Sequence, residues 1–365
     1  MTWEIKRHNT HQIHLGGIPI GGGAPITVQS MTNTATQDVA ATVAQIHRLE
    51  AAGCEIVRVA VPDEEAAGAI KSIKPKINIP LIADIHFDHR LAIAAADNGA
   101  DGLRINPGNI GGRAKVKKVV RAAQQRGLPI RIGVNAGSLE KDILKTHGGA
   151  TAQAMVDSAM RHVALLEAFD FDQIKISLKA SDVPRTVEAY RLLSCQSRYP
   201  LHLGVTEAGS LYAGTVKSAM GIGMLLAEGI GDTLRVSLTR DPVEEVRVGF
   251  EILKGLEIRR HGPEIISCPT CGRCGYDLFD VAEQIDKALL TRSAPVKVAI
   301  MGCVVNGPGE AKEADVGVAG GPEKGIVFRK GKVVRKVPHE KLVTALLEEI
   351  DAWEKEREKY NGQEG

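Results

Sequence analysis

Between residues 26 and 256, short apolar runs alternate with amphipathic stretches. The runs at 26–30, 55–61, 80–85, 102–106, 129–135, 173–178, 201–206 and 233–238 are rich in branched apolar residues and are bounded by turn formers, the pattern of buried strands. Between them lie stretches with apolar residues three and four apart, such as Val39, Val43, Ile46 and Leu49, or Met155, Ala159, Val163 and Leu166, which predicts helices. Strand and helix in turn predict a parallel sheet. Eight such units in roughly 235 residues predict an α/β fold closed as a (β/α)8 TIM barrel, which typically takes ~250 residues, rather than an open doubly wound sheet. The glycine-rich dinucleotide fingerprint of an open sheet does not follow the first strand.

On either side of this region the pattern differs. Residues 12–23 are short apolar pieces split by glycines, which predicts a small hairpin plugging one end of the barrel. His8, His11 and His14 recur every three residues and read as part of a solvated, partly mobile segment rather than a metal tract. Residues 257–264 read as a short charged linker. Beyond it, strands are expected at 296–301 and 315–319, a hairpin over 325–334 turning at Lys330-Gly331, and helices at 278–290 and 339–359. The expected division is a barrel domain over 1–258 and a smaller α+β domain over 259–365.

Composition narrows the classes of function. The 365 residues carry 46 Lys and Arg against 44 Asp and Glu, a net charge of +2, which gives no case for nucleic acid or an anionic membrane as partner. The amino-terminal residues are polar and no run of eighteen apolar residues occurs, so a cytoplasmic protein is expected.

Four of the six cysteines fall in two segments, Cys268-Pro269-Thr270-Cys271-Gly272-Arg273-Cys274 and Cys303-Val304-Val305-Asn306-Gly307-Pro308-Gly309-Glu310. Closely spaced thiols in a chain of this class point to metal rather than to disulfides. A structural zinc site calls for four closed ligands, yet Cys303 has no cysteine near it. The asymmetry favours an iron-sulfur cluster with one unusual corner, to which Glu310 could offer an oxygen. A thioredoxin-like pair lacks its flanking strand and helix, and the two gaps of two residues differ from the C-x-x-x-C-x-x-C spacing of radical chemistry. Cys54 and Cys195 read as free buried thiols.

Barrels of this class place their active sites at the carboxyl ends of the strands. Those ends deliver Arg58; Asp84 and His86; Arg104 and Asn106; Arg131 and Asn135; Lys175, Ser177 and Lys179; Thr206 and Glu207; and Arg235 with Ser237. Cationic ends converging on one mouth imply a ligand with at least two phosphates, with Asp84, His86 and Glu207 available to position hydroxyls or move protons.

These residues resemble those of the 4-hydroxy-3-methylbut-2-enyl diphosphate synthase family of the non-mevalonate isoprenoid pathway, in its two-domain bacterial form. The likeness runs through Val28-Gln29-Ser30-Met31-Thr32, Ala83-Asp84-Ile85-His86, Arg104-Ile105-Asn106-Pro107-Gly108-Asn109 and Gly133-Val134-Asn135-Ala136-Gly137-Ser138-Leu139, and then through both cysteine segments. It implies a TIM barrel joined to a [4Fe-4S] domain, with Cys268, Cys271 and Cys303 as thiolate ligands and Glu310 as the ligand of the fourth iron. It further implies that Arg58, Arg104, Arg131, Lys179, Arg235 and Ser237 grip a diphosphate, that Asp84, His86, Asn106, Asn135, Thr206 and Glu207 line the pocket, and that Asn306 approaches the substrate. Cys274 departs from the family pattern, which has a hydroxyl residue there.

The implied reaction is the reductive opening of 2-C-methyl-D-erythritol 2,4-cyclodiphosphate, with ferredoxin or flavodoxin as electron donor. The alternative from another class is a phosphate-binding barrel lyase or pterin-type transferase with a structural zinc domain. Assembly follows from the linker. The eighth helix ends at the face opposite the mouth, and residues 257–264 reach at most ~28 Å at roughly 3.5 Å per residue, so a head-to-tail homodimer is expected, each cluster domain capping its partner's barrel.

Overall fold

Regular structure starts with a hairpin, β1 (Ile13–Leu15) and β2 (Ile18–Ile20), paired antiparallel with Ile13 opposite Ile20. Its turn is Gly16-Gly17 at φ 52° and 88°, the two positive angles of a type I′ turn that glycine accepts without strain. Ile13, Leu15 and Ile20 are buried against Ile56 and Ile82, near the starts of two barrel strands, so the hairpin plugs the barrel's base as the glycine-split pattern predicts. The computed structural model describes residues 4–303, 311–321 and 323–361.

The barrel follows as β3 (Thr27–Met31), α1 (Val39–Ala51), β4 (Ile56–Ala60), α2 (Glu64–Ile73), β5 (Leu81–Asp84), α3 (His89–Asp97), β6 (Gly102–Ile105), α4 (Pro107–Ile110), α5 (Arg113–Arg126), β7 (Ile130–Asn135), α6 (Lys141–His147), α7 (Ala152–Glu167), β8 (Ile174–Lys179), α8 (Val183–Gln196), β9 (His202–Leu203), α9 (Leu211–Ala227), β10 (Thr233–Leu234) and α10 (Pro242–Gly255). Among the described residues β3 to β10 form one eight-stranded parallel sheet in the order β8-β7-β6-β5-β4-β3-β10-β9. A parallel bridge from Ile176 to Leu201 brings the two ends together, which makes the (β/α)8 TIM barrel expected from the alternation. Helix starts are written in the sequence as aspartates: Asp38, Asp63, Asp88, Asp182 and Asp241 each accept a backbone N–H of the helix that follows, the usual work of an N-cap.

The strands bury two faces of opposite character. Val57, Val59, Leu81, Ala83, Leu103, Ile105, Ile130, Ile132, Ile174 and Ile176 belong to the apolar core that also takes in the buried faces of the helices. The alternate positions Gln29, Arg58, Asp84, Arg104, Arg131, Lys175, Ser177 and His202 are buried too, and these fill the barrel's interior. One half of each strand thus secures the fold and the other half equips it.

The segment before the hairpin differs from the mobile terminus expected of it. His8 N–H donates to Gly229 O at 2.9 Å, His11 N–H to Arg198 O at 2.7 Å, and Arg7 pairs with buried Asp232 at 2.9 Å. Cys54 is a buried thiol, which burial pushes up to about 12, whereas Cys195 is exposed, because it falls on the solvent side of α8.

The chain divides into two compact units, residues 1–259 and 260–365. In the second, β11 (Glu264–Ser267), β12 (Lys297–Met301) and β13 (Val316–Gly320) run parallel, and β14 (Gly325–Arg329) and β15 (Lys332–Val337) continue the sheet antiparallel. Helices α11 (Leu278–Leu289) and Leu342–Asn361 are buried against it through Leu278, Val281, Ile285, Leu342, Leu346 and Ile350. Lys330 and Gly331 turn the hairpin at φ 45° and 73°. Strand β11 begins inside what reads as linker in the sequence. Three of its four residues are half-buried and Ser267 is exposed, so the apolar signal is weak. The linker is also tied down: Arg259 donates to Ile26 O at 2.6 Å and pairs with Glu55 at 2.9 Å, at the foot of β3 and β4. Among the described residues no helix is long and apolar enough to cross a membrane.

Candidate active site

Strand register sets the charges side by side. Asp84 on β5 lies opposite Arg104 on β6, Arg104 opposite Arg131 on β7, and Arg131 opposite Lys175 on β8. Above this row a cavity of about 260 Å3 opens at the carboxyl ends of the strands, lined by Met31, Arg58, Asp84, His86, Arg104, Arg131, Asn135, Ser177, Lys179, Thr206, Arg235 and Ser237.

Five of these side chains are cations, and two carboxylates organise them. Asp84 receives Arg104 Nη1 at 3.0 Å and lies 3.5 Å from Arg58 Nε. Glu245, reaching in from α10, takes Arg235 by two contacts, Nε to Oε2 at 3.0 Å and Nη2 to Oε1 at 3.1 Å. Arg58 also points Nε and Nη2 at the Met31 sulfur, 3.1 and 3.0 Å away. His86 Nε2 is 3.2 Å from Arg104 Nη1 and 3.6 Å from Asp84 Oδ2, so one ring nitrogen faces a donor and an acceptor. Arg131 is 2% exposed, and its Nε and Nη1 have no partner among the described residues. Unpaired buried donors of this kind are costly unless an anion or water meets them.

The electrostatics tell the same story. Burial lowers the Arg58 guanidinium to about 10, Asp84 opposing the shift while Arg235 and Arg104 add to it. Burial, then Arg58 and Arg104, push Arg131 well below the usual arginine range; burial, then Arg131 and Arg235, do the same to Lys179. Burial alone would raise the Asp84 carboxyl, but Arg58, the bond to His86, Arg104 and Arg131 hold it well below the ordinary range. The mouth therefore carries positive charge in excess of its carboxylates, and a polyanion is the ligand that relieves it.

Two glycines make room for these long side chains. A β-carbon on Gly133 would stand 2.4 Å from Arg104 Nε, and one on Gly204 would stand 2.7 Å from Lys179 Nζ. Among the candidates from the sequence, the cavity gathers Arg58, Asp84, His86, Arg104, Arg131, Asn135, Lys179, Thr206, Arg235 and Ser237. Asn106 and Glu207 are not among its lining residues. Asn106 is buried as the cap of α4, accepting Gly108 N–H at 3.0 Å, and Glu207 is exposed at φ 50°. Sequence reasoning passed over Met31 and Glu245. A carboxylate on the buried stripe of α10 was the available signal for Glu245, since Val246, Gly249 and Leu253 share that stripe.

In the second unit, Cys268 directly follows β11 and Cys303 lies two residues beyond β12, the strand paired with it, and Cys268 N–H donates to Ile300 O at 3.0 Å. Cys271 first, then Cys303 and Cys268, push the Arg273 guanidinium up from its usual value. The Arg273 N–H, and then its guanidinium, lower the Cys271 thiol. Three soft donors on neighbouring strand ends suit an iron-sulfur cluster, although among the described residues no three such side chains already stand at metal-binding spacing. Cys274 is otherwise engaged, donating to Tyr276 O at 3.2 Å. Asn306 and Glu310 lie outside the described residues.

Comparison with known proteins agrees over nearly the whole chain. The family profile described as "GcpE TIM-barrel domain" matches residues 10–250, and "GcpE protein C-terminal domain" matches residues 264–352. A Geobacter sulfurreducens protein named 4-hydroxy-3-methylbut-2-en-1-yl diphosphate synthase (flavodoxin) is 61% identical over 94% of this chain and 97% of its own. A protein of the same name from Desulfotalea psychrophila is 58% identical over 97% and 98%. Among solved structures, the Yersinia pestis dihydropteroate synthase covers 69% of this chain and 100% of its own at 14% identity and TM-score 0.48, too slight a likeness to bear on function. Two profiles matched in sequence order and relatives alike over nearly their full lengths lead to one conclusion: the chain belongs to the GcpE family.

Proposed function

We propose that the chain opens 2-C-methyl-D-erythritol 2,4-cyclodiphosphate reductively to (E)-4-hydroxy-3-methylbut-2-enyl diphosphate. The observation that carries this reading is the cationic barrel mouth, five basic side chains around two carboxylates, in a chain closely related to enzymes named for that product. In this reading Arg58, Arg104, Arg131, Lys179 and Arg235, with Ser237, grip the diphosphate, while Asn135 and Thr206 contact the carbon skeleton and its hydroxyls and Asn106 caps α4. Asp84 orients Arg58 and Arg104. His86 and Glu207 are the groups through which a proton reaches the departing hydroxyl.

The overall change consumes two electrons and one proton. The ring C–O bond breaks with its electron pair left on the diphosphate oxygen, a hydroxyl leaves as water, and a carbon-carbon double bond forms. Cys268, Cys271 and Cys303, with Glu310, would hold a [4Fe-4S] cluster. When bound, such a cluster passes single electrons and can offer an open iron as Lewis acid to the departing oxygen. Asn306 is, on the family resemblance, the further residue we assign to the substrate. Flavodoxin, printed in the relatives' names, is the donor we assign, with ferredoxin as the other single-electron carrier of that class.

A head-to-tail homodimer completes the reading. In it each cluster domain caps its partner's barrel. Protein purified without oxygen should be brown, with about four irons and four sulfides per chain, and should form product with reduced flavodoxin. A colourless protein with one zinc and no turnover would overturn the reading and favour the zinc-bearing transferase. Mixing Arg131→Ala and Cys303→Ser chains, each inactive alone, should restore activity in mixed dimers. Confirmed mixed dimers without recovery would defeat the cross-subunit arrangement.

A further inference from the structure

Below the cavity the barrel's interior remains charged. Lys175, Ser177 and Lys179 alternate along β8 and share its inward face. Ser177 and Lys179 line the cavity, whereas Lys175 lies one step deeper, opposite Arg131. Lys175 is 3% exposed, and among the described residues its Nζ has no hydrogen-bond partner.

Its neighbours explain why. Arg131 on β7 and Arg58 on β4 act on it as like charges, Asp232, just before β10, acts as the opposing carboxylate, and His202 on β9 responds to it together with Lys179. Both Asp232 oxygens are already engaged: Oδ1 takes Arg7 at 2.9 Å and Thr10 at 3.0 Å, and Oδ2 takes Leu201 N–H at 2.9 Å. Burial, then Arg131, Lys179 and Lys175, lower the His202 imidazole well below its usual value, so that ring is neutral and adds no charge. Gln29 on β3 is fully buried, and neither atom of its amide is paired among the described residues. Lys175 thus has cations beside it, no free carboxylate oxygen, and an anion site above.

A buried amine in that position is charged only at a cost, and burial, then Arg131, bring it down to about 7. A polyanion two residues up the same strand face, about 7 Å away, reverses the balance. On the reading of the mouth as a diphosphate site, we propose that Lys175 couples filling of that site to the uptake of one proton, and that the ammonium so formed offsets the charge that grows on the diphosphate as the ring opens. Each phosphorus of the cyclic diester carries one negative charge. When the C–O bond breaks and the electron pair stays on oxygen, the group passes from two negative charges to three. The proton on Lys175 comes from solvent as the ligand binds and remains there, separate from the proton consumed in making water.

The test is calorimetry of inorganic diphosphate binding to the full-length, cluster-bearing protein at pH 8, in buffers of different ionisation enthalpy, where the slope counts protons. Lys179 also touches the anion, so the comparison is between variants at 175. The parent should take up nearly one proton more than Lys175→Met. Lys175→Arg, whose charge does not titrate in this range, should lack that proton too. It should also keep its affinity between pH 7 and 9, while the parent loses up to tenfold per pH unit relative to it. Equal proton counts in parent and Lys175→Met would overturn the inference. If Lys175→Met fails to fold, equal counts in parent and Lys175→Arg would do so. Binding with an unaltered proton count removes this inference alone, whereas no binding of diphosphate to any of the proteins removes the diphosphate reading with it.

Discussion

Glu245 meets Arg235 edge to edge, its two oxygens 3.0 and 3.1 Å from Nε and Nη2. The carboxylate comes from a helix outside the barrel and is 3% exposed, and it also takes Ser30 Oγ at 3.0 Å and Leu238 N–H at 3.1 Å. One side chain therefore braces the first strand, the loop after the last and a phosphate-gripping arginine. Glu245→Gln keeps the shape but removes the charge that matches the guanidinium. It should cost about 1–3 kcal/mol of stability and raise the Michaelis constant, checked by urea denaturation and steady-state kinetics. Parent-like values in both would show that Arg235 is held by something else.

Gly133→Ala puts a carbon 2.4 Å from Arg104 Nε, where real neighbours never stand. Arg104 is 6% exposed and bound to Asp84, so it cannot swing away without giving up that contact. Diphosphate affinity should fall by roughly tenfold or more, the worth of one lost charge-assisted contact, while the far-ultraviolet circular dichroism stays that of the parent. Calorimetry decides it, and undiminished binding would mean that Arg104 has slack that its packing does not suggest.

Acid should expose the work of Asp84. Its folded-state carboxyl is held below the unfolded value by Arg58, His86, Arg104 and Arg131. The stability it lends is present above pH ~4 and is lost as pH falls further, at about 1.4 kcal/mol per pH unit. Asp84→Asn should therefore be much less stable than the parent at pH 7, with the gap narrowing between pH 4 and pH 3. A gap that widened towards acid would reverse the sign and refute the assignment.

How much of this was legible beforehand depended on which face of a strand was read. Residues such as Val57, Val59, Ile130 and Ile132 advertise strands because the helices need an apolar surface to pack on, and the alternation of β and α was plain for that reason. Arg58, Arg104, Arg131 and Lys179 stood out as charges at strand ends, where a barrel collects its ligands. Glu245 did not, because a helix gives no hint of which strand end one of its buried residues will meet. β9 and β10 hold two residues each where six were read. Gly204 lies where a β-carbon would be 2.5 Å from Arg235 O, a closeness at which the regular ladder gives way, and no spacing in the sequence announces it.

Cys271 and Cys274 differ in what their thiols already do. Cys271 is exposed beside Arg273, whereas Cys274 bonds to Tyr276 O and packs against the small core. Cys271→Ser should lose the iron and sulfide, and Cys274→Ser should retain both, measured on protein purified without oxygen. The reverse outcome would exchange their roles.

With Ile13, Leu15 and Ile20 packed across the barrel's foot, the mouth is the doorway that the described residues leave open. Whatever enters between Arg58 and Arg235 must back out past the same residues, so spent product and fresh substrate queue for one threshold instead of passing through in file. Product should then act as a competitive inhibitor of the cyclic substrate, and anything laid across the doorway would halt arrival and departure together.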